Sequence, residues 1–176
     1  LDRVQGMRVL NPVDVVRWNM DKAYLMELER AGIPIIPSHP VPRTAALDLG
    51  PVRQLGWHEA VIKPMVSAGA HRTSRFTMDE LAIVEQEFRD YARGHDLIVQ
   101  EFMPEIAVEG EWSVVFFNRT YSHAVLKRPA KGDFRVQPRF GGITQANSAP
   151  PALIAQARAV LEHVQGPLLY TRVDGV

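Results

Sequence analysis

Residues 112–127 read WSVVFFNRTYSHAVLK. Two apolar runs rich in β-branched and aromatic residues, 112–117 and 121–127, flank the Asn118-Arg119-Thr120 turn. A connection this short cannot cross over a sheet, so the two runs must be neighbouring antiparallel strands. Elsewhere the apolar period is helical. Leu81, Val84, Phe88 and Tyr91 form one stripe behind the capping box Thr77-x-x-Glu80, which predicts a helix to about Arg93. Leu153, Ile154, Ala157, Val160, Leu161 and Val164 form a second stripe over about 151–164, opened by Pro150-Pro151. Met20, Ala23, Tyr24, Leu28 and Ala31 predict a helix over 20–31, with Asn19 as N-cap and Gly32 as stop.

Short apolar runs supply further strands at 7–10, 33–36, 60–63, 97–100 and 168–174, and the Gly-punctuated stretch 132–142 carries another. Residues 37–57 read as Pro-rich and irregular, with one short helix near 44–49. The order of elements predicts an α+β fold with two sheet-containing halves meeting near residue 100.

Composition then excludes several functions. Twenty basic residues balance twenty acidic ones, so no broad attraction to a nucleic-acid backbone is expected and any phosphate site must be local. There is no cysteine, hence no disulfide framework and no thiolate chemistry, in keeping with a cytoplasmic protein. No apolar run approaches the roughly 20 residues that cross a bilayer, so no membrane association is expected. Walker A, G-x-G-x-x-G and G-x-S-x-G patterns are absent, and the six histidines never reach metal-ligand spacing on one element. The chain opens at Leu1 in mid-pattern and closes at Val176 on a strand, which suggests a piece of a longer protein.

What remains is a set of charges at the ends of apolar strands. Lys63 ends VIKP, Lys127 ends HAVLK and Asp174 ends LLYTRVD. A lone charge there costs several kcal/mol unless it is paired. Period 2 puts Tyr170, Arg172 and Asp174 on one face of their strand. Two cations and an anion so placed suit a polyanion with a divalent metal, although for each charge taken singly an internal salt-bridge network is the favoured reading. Lys22 falls in the first turn of its expected helix, where a cation is disfavoured unless an anion is near; it reads either as a phosphate contact or as a solvated surface lysine partly compensated by Asp21. The small-residue loop MVSAGAHRTS follows Lys63 and can bring backbone amides to phosphate oxygens, although in isolation an ordinary surface loop is the favoured reading. In GDFRVQPRFGG, Arg135 shares an expected strand face with Gln137 and offers a bidentate fork for phosphate or carboxylate, or is an exposed arginine of a hairpin.

Taken in order, the segments NMDKAYLMELERAGIPIIPS, AVIKPMVSAGAHRT, IVQEFMPEI with EGEWSVVFF, KRPAKGDFRVQPRFGG and YTRVDGV resemble the ATP-grasp superfamily of ligases. The detail is most similar to its glutathione-synthetase and ribosomal-protein glutamate-ligase branch and, more loosely, to the cyclo-ligase that closes O-ureido-serine to cycloserine.

The resemblance implies two α+β subdomains with an ATP cleft between them. Residues 1–18 would be the tail of a preceding domain, 19–99 the smaller subdomain and 100–176 an incomplete larger one. It implies an ATP-dependent carboxylate–amine ligase acting with Mg²⁺ through an acyl phosphate. Its substrates would be small-molecule carboxylates and amines, with a homodimer left open.

It also implies roles for single residues. Lys22 and Lys63 would contact ATP phosphates, under a mobile loop from Ser67 to Thr73 that includes Gly69. Gln100, Glu101, Phe102 and Met103 would form the adenine hinge, the Glu101 carbonyl accepting from the exocyclic amine and the Met103 amide donating to the ring. Glu111 would bind ribose, Lys127 and Arg135 would stabilise the γ-phosphate and acyl phosphate, and Asp174 would hold Mg²⁺. The family carries a Glu, and often an Asn, just after the position of Asp174. The chain ends first, so this piece alone is expected to be inactive. The other readings are a non-catalytic nucleotide-sensing or scaffold domain of the same fold, and an unrelated α+β domain in which these charges are structural.

Overall fold

A computed structural model describes residues 10–176. The strand expected at 7–10 falls, but for its last residue, outside the described residues. In chain order the elements are α1 (Val13–Met20), α2 (Tyr24–Arg30), β1 (Ser38–Val41), α3 (Gly50–Arg53), β2 (Glu59–Pro64), β3 (Ser74–Thr77), α4 (Leu81–Ala92), β4 (Leu97–Glu101), α5 (Glu105–Val108), β5 (Glu111–Phe117), β6 (Thr120–Arg128), β7 (Ile143–Asn147), α6 (Pro151–His163) and β8 (Tyr170–Gly175). Among the described residues no helix is long and apolar enough to cross a membrane.

Two compact units result. The first comprises Met20–Glu29 and Ile35–Met103. Its antiparallel sheet has the order β1-β4-β2-β3. Strand β2 alternates, with Ala60, Ile62 and Pro64 buried, and β4 is buried from Leu97 to Gln100 as a central strand should be. Leu81, Val84, Phe88 and Ala92 of α4 pack with Ala60, Ile62, Phe76, Leu97 and Val99. The capping box opens this helix as expected. The Glu80 carboxylate accepts from the Thr77 amide at 2.8 Å and its hydroxyl at 3.0 Å.

The second unit comprises residues 10–19, Arg30–Pro34 and Pro104–Val176. Its antiparallel sheet has the order β7-β6-β5-β8. Val114, Phe116 and Ala124 lie against Ala157 and Leu161 of α6, with Val15 of α1 joining them. The hairpin β5–β6 is present, and its turn needs only two residues. Asn118 and Arg119 both take positive φ, 45° and 62°, the hand that matches strand twist. Arg119 is also an anchor. Its guanidinium donates to the carbonyls of Leu161, Val164 (2.7 Å) and Gly166 (2.5 Å), capping the end of α6.

Several expected elements are displaced. The helix expected over 20–31 is α2 alone, and Asn19 lies inside α1 rather than capping it. Asp21 instead accepts from the Ala23 amide at 2.9 Å. The strand expected at 33–36 begins later, as β1, because Pro34 and Pro37 cannot donate to a ladder. The short helix near 44–49 is α3, with Pro51 in its first turn. No strand forms within 132–142. Pro138–Phe140 is a 3-10 turn, and the strand follows as β7, whose five residues are all exposed and so lack an apolar alternation. Strand β3 and helices α1 and α5 are additional to the elements expected; at four residues each, β3 and α5 are too short to show a period.

Candidate functional site

The alternation of β5, β6 and β8 sends one set of side chains to the α6 core and the other to the opposite face. That second face carries Glu111, Ser113, Lys127, Arg172 and Asp174, because Glu111 pairs with Lys127 and Ser113 with Asp174 across the ladders. The Lys127 ammonium lies 2.9 Å from Glu111 and 3.5 Å from Asp174, with only 15% of its side chain exposed. Asp174 also accepts from the Ser113 hydroxyl, and from Arg172 at 2.8 Å. Lys127 and Asp174, two of the strand-end charges, are therefore paired with each other, which is what a half-buried charge requires. Sequence reading missed Ser113. Its place two residues after Glu111 on an alternating strand was the available signal.

Beyond β6 the chain forms an arm around Arg135. Asp133 accepts from the Arg135 guanidinium, Nε to Oδ1 at 3.0 Å and Nη2 to Oδ2 at 2.7 Å, and from the backbone amides of Phe134 and Arg135. These bonds, the guanidinium's first, hold the Asp133 carboxyl well below the usual carboxylate range. Arg135 Cζ stands 3.7 Å from the centroid of the Phe140 ring. The Gly141-Gly142 pair makes the arm's bend. Gly141 has φ +81°, and a Cβ on Gly142 would collide with the Val136 carbonyl. Asp133 was not singled out by the sequence, though it lies two residues before Arg135.

In the first unit, Lys22 sits in the turn before α2 and is half-buried, not a solvated surface lysine. Its ammonium donates to the carbonyls of Pro64 (3.1 Å), Met65 (3.0 Å) and Ser67 (3.2 Å) and to the Ser67 hydroxyl (3.0 Å). Burial lowers its pKa, and the nearby Asp21 charge opposes that shift. Lys22 thus ties down the start of the loop after β2. Gly69, Ala70 and Arg72 in that loop take φ of 61°, 56° and 46°. Lys63 is half-buried on the face of β2 away from α4 and lies opposite Ile98. In the 100–103 segment, Gln100 is buried and donates to the Ser38 hydroxyl at 2.7 Å. The Glu101 amide donates to the Pro37 carbonyl and the Phe102 amide to the Glu59 carbonyl, each at 3.0 Å. The buried Phe102 ring lies under Arg75 at 3.7 Å. The expected residues thus form two groups. Lys22 and Ser67 join the first, with Lys63, Gly69 and Gln100–Met103 in the same unit, while Glu111, Lys127 and Asp174 join the second, with Arg135 in theirs.

No protein-family profile matches the chain. The cycloserine biosynthesis protein DcsG of Streptomyces lavendulae is 32% identical over 129 residues, 68% of this chain and 42% of that protein. The crystal structure of D-cycloserine synthetase DcsG matches with a TM-score of 0.83 at 28% identity, over 98% of this chain and 63% of that one. ATP-grasp ligase PsnB in complex with a minimal precursor matches with a TM-score of 0.63 at 21% identity, covering 98% of this chain and 51% of that one. D-alanine–D-alanine ligase from Bacillus anthracis follows with 0.62 at 18% identity, covering 88% and 51%. The last two bear on the fold alone. The chain spans less than two thirds of the length of each of these proteins.

Proposed function

The chain belongs to the ATP-grasp superfamily, and from that premise we propose that it forms the ATP-binding part of a ligase that activates a carboxylate with ATP and joins it to an amine. The observation that supports this most is the Lys127 ammonium held between Glu111 and Asp174 on the face opposite the α6 core. A carboxylate attacking ATP brings two anions together, so phosphoryl transfer depends on positioned cations more than on covalent help. Lys127 and Arg135 supply those cations at the γ-phosphate and at the acyl phosphate that forms from it. Lys63 meets the remaining phosphates under the loop from Ser67 to Thr73. Lys22 holds the base of that loop, and would reach phosphate only by giving up bonds to the carbonyls it now contacts. Gln100–Met103 takes adenine and Glu111 the ribose hydroxyls.

Mg²⁺ prefers oxygen ligands, commonly one or two carboxylates together with substrate phosphates. Asp174, with Glu111 on the same face, fits such a shared site. Among the described residues no cluster of three or more His, Asp or Glu would hold the ion unaided. Asp174 would be its ligand, and the bound ion would neutralise phosphate charge during transfer.

The 32% relative is named for cycloserine biosynthesis. An intramolecular ring closure, carboxylate onto amine, is therefore the reaction to test first. Calorimetric titration of the full chain with MgATP should give saturable binding. Lys127→Ala should weaken it at least about tenfold, the scale of one lost charge-assisted contact. ADP release by the full-length protein in the presence of O-ureido-serine tests the ring closure. A wild-type chain that binds no nucleotide would sink the proposal.

A further inference from the structure

Resting on the ATP-binding reading above, we propose that Asp133 is a positioning residue that holds the Arg135 guanidinium side-on, leaving its Nη1–Nη2 edge to receive two phosphate oxygens. A guanidinium has five N–H donors in one plane. Nε gives its single hydrogen to Asp133, at 3.0 Å from Oδ1 and 3.2 Å from Oδ2, and Nη2 gives one of its two to Oδ2 at 2.7 Å. No described residue accepts from Nη1. The hydrogens that remain are those of Nη1 and the outer one of Nη2, and together they form a two-toothed fork. The carboxylate occupies the other edge, so it does not compete for the hydrogens a phosphate would take.

Two further contacts fix the group. Asp133 Oδ1 also accepts from the Arg135 backbone amide at 2.9 Å, so one carboxylate sets both the main chain and the side chain of Arg135. The Phe140 ring stacks 3.7 Å from Cζ and covers one face of the guanidinium. An arginine ordered before binding loses less rotamer freedom when it binds. The local charge calls for an anion as well. Residues 131–140 hold Lys131, Arg135 and Arg139 against the single carboxylate of Asp133, three positive charges and one negative, a local net of +2. The Arg139 guanidinium lies 4.7 Å from the centroid of the same Phe140 ring, so two like charges share one ring.

The test compares MgATP and MgADP affinities by calorimetry on the full chain, for wild type, Arg135→Ala and Asp133→Asn, with melting temperatures alongside. Wild type should prefer ATP, and Arg135→Ala should abolish the preference. Asp133→Asn keeps an oxygen for the two backbone amides but loses the charge-assisted clamp. It should cut the ATP-over-ADP preference about tenfold while ADP affinity stays within about twofold, a pattern that general loosening of the fold would not produce. If Asp133→Asn does not fold, Asp133→Ser, which retains a short acceptor, should show the same selective loss. Wild type should also give an Arg135 Nε–H signal, in ¹⁵N-resolved spectra, that marks slow guanidinium rotation and is lost in the Asp133 variant. An unchanged ATP preference in the Asp133 variants overturns the positioning role alone. A raised preference does so too, since it would make the carboxylate a competitor. A wild-type chain that binds neither nucleotide overturns the ATP-binding reading and this proposal with it.

Discussion

At Gly110 only one residue type fits. Its φ is +108°, and a Cβ there would stand 2.5 Å from the Lys127 carbonyl oxygen. The bare backbone passes under β6 just before Glu111, which is how Glu111 comes to face Lys127 at 2.9 Å. Gly110→Ala should cost about 2–4 kcal/mol, from a strained φ together with a clash against main chain that cannot move aside. Urea unfolding measures it, and a loss below about 1 kcal/mol would mean that the strand can shift to make room. The sequence flagged Glu111 and Lys127 but not the glycine that lets them meet. Glycine carries no side-chain signal, and its necessity depends on a strand that arrives later in the chain.

Helix α4 shows what an element can reveal by itself and what it cannot. The Thr77-x-x-Glu80 signal is local, so it was legible in four letters, and the pair bonds as expected. It also predicts a pH dependence. Hydrogen bonds from the Thr77 amide, and then from its hydroxyl, lower the Glu80 pKa from 4.5. A carboxylate depressed in the folded state adds stability that is fully present above its unfolded pKa and lost as pH falls through the folded value. Glu80→Ala should therefore melt below wild type at pH 7, and the two should converge as pH falls through the lowered folded-state value. A melting difference that persists at low pH would assign the effect to helix propensity, not to the charged cap. By contrast, the turn Asn118-Arg119 showed only its hairpin character in the sequence. That Arg119 also closes the C-terminal end of α6 joins residues more than forty positions apart, and no local pattern reports such a contact.

At the scale of the whole molecule, the proposed function predicts that MgATP binds the folded chain and not the unfolded one. At a hundred times the dissociation constant, such a ligand stabilises by about 2.7 kcal/mol. For a chain of this size that raises the melting temperature by roughly 5–10 °C. Scanning calorimetry with and without MgATP, using Asp174→Asn as comparison, checks this. A transition that MgATP leaves unmoved at every concentration would count against nucleotide binding. Asp174→Asn should shrink the Mg²⁺-dependent part of the shift.

By itself the sequence determined the helices α4 and α6, the hairpin and the strands β2 and β4, because a period of 3.6, a short turn or a short apolar run is legible within one window, and the order of these elements gave the α+β class. It also determined which charges end the strands, and the ordered motifs carried the ATP-grasp resemblance. Only the tertiary structure decided which partner each charge has. Lys127 could have met water, phosphate or any carboxylate, and the register of β5 against β6 and β8 placed it between Glu111 and Asp174. Lys22 looked like a phosphate contact or a surface lysine, yet its ammonium is filled by the main chain of residues 64–67. Arg135 was expected on a strand and instead lies in an arm shaped by Asp133 and two glycines. For Lys22 and Lys127 the physical reason is the same: a half-buried cation must find acceptors, and segments distant in the sequence bring them, which only the folded chain does.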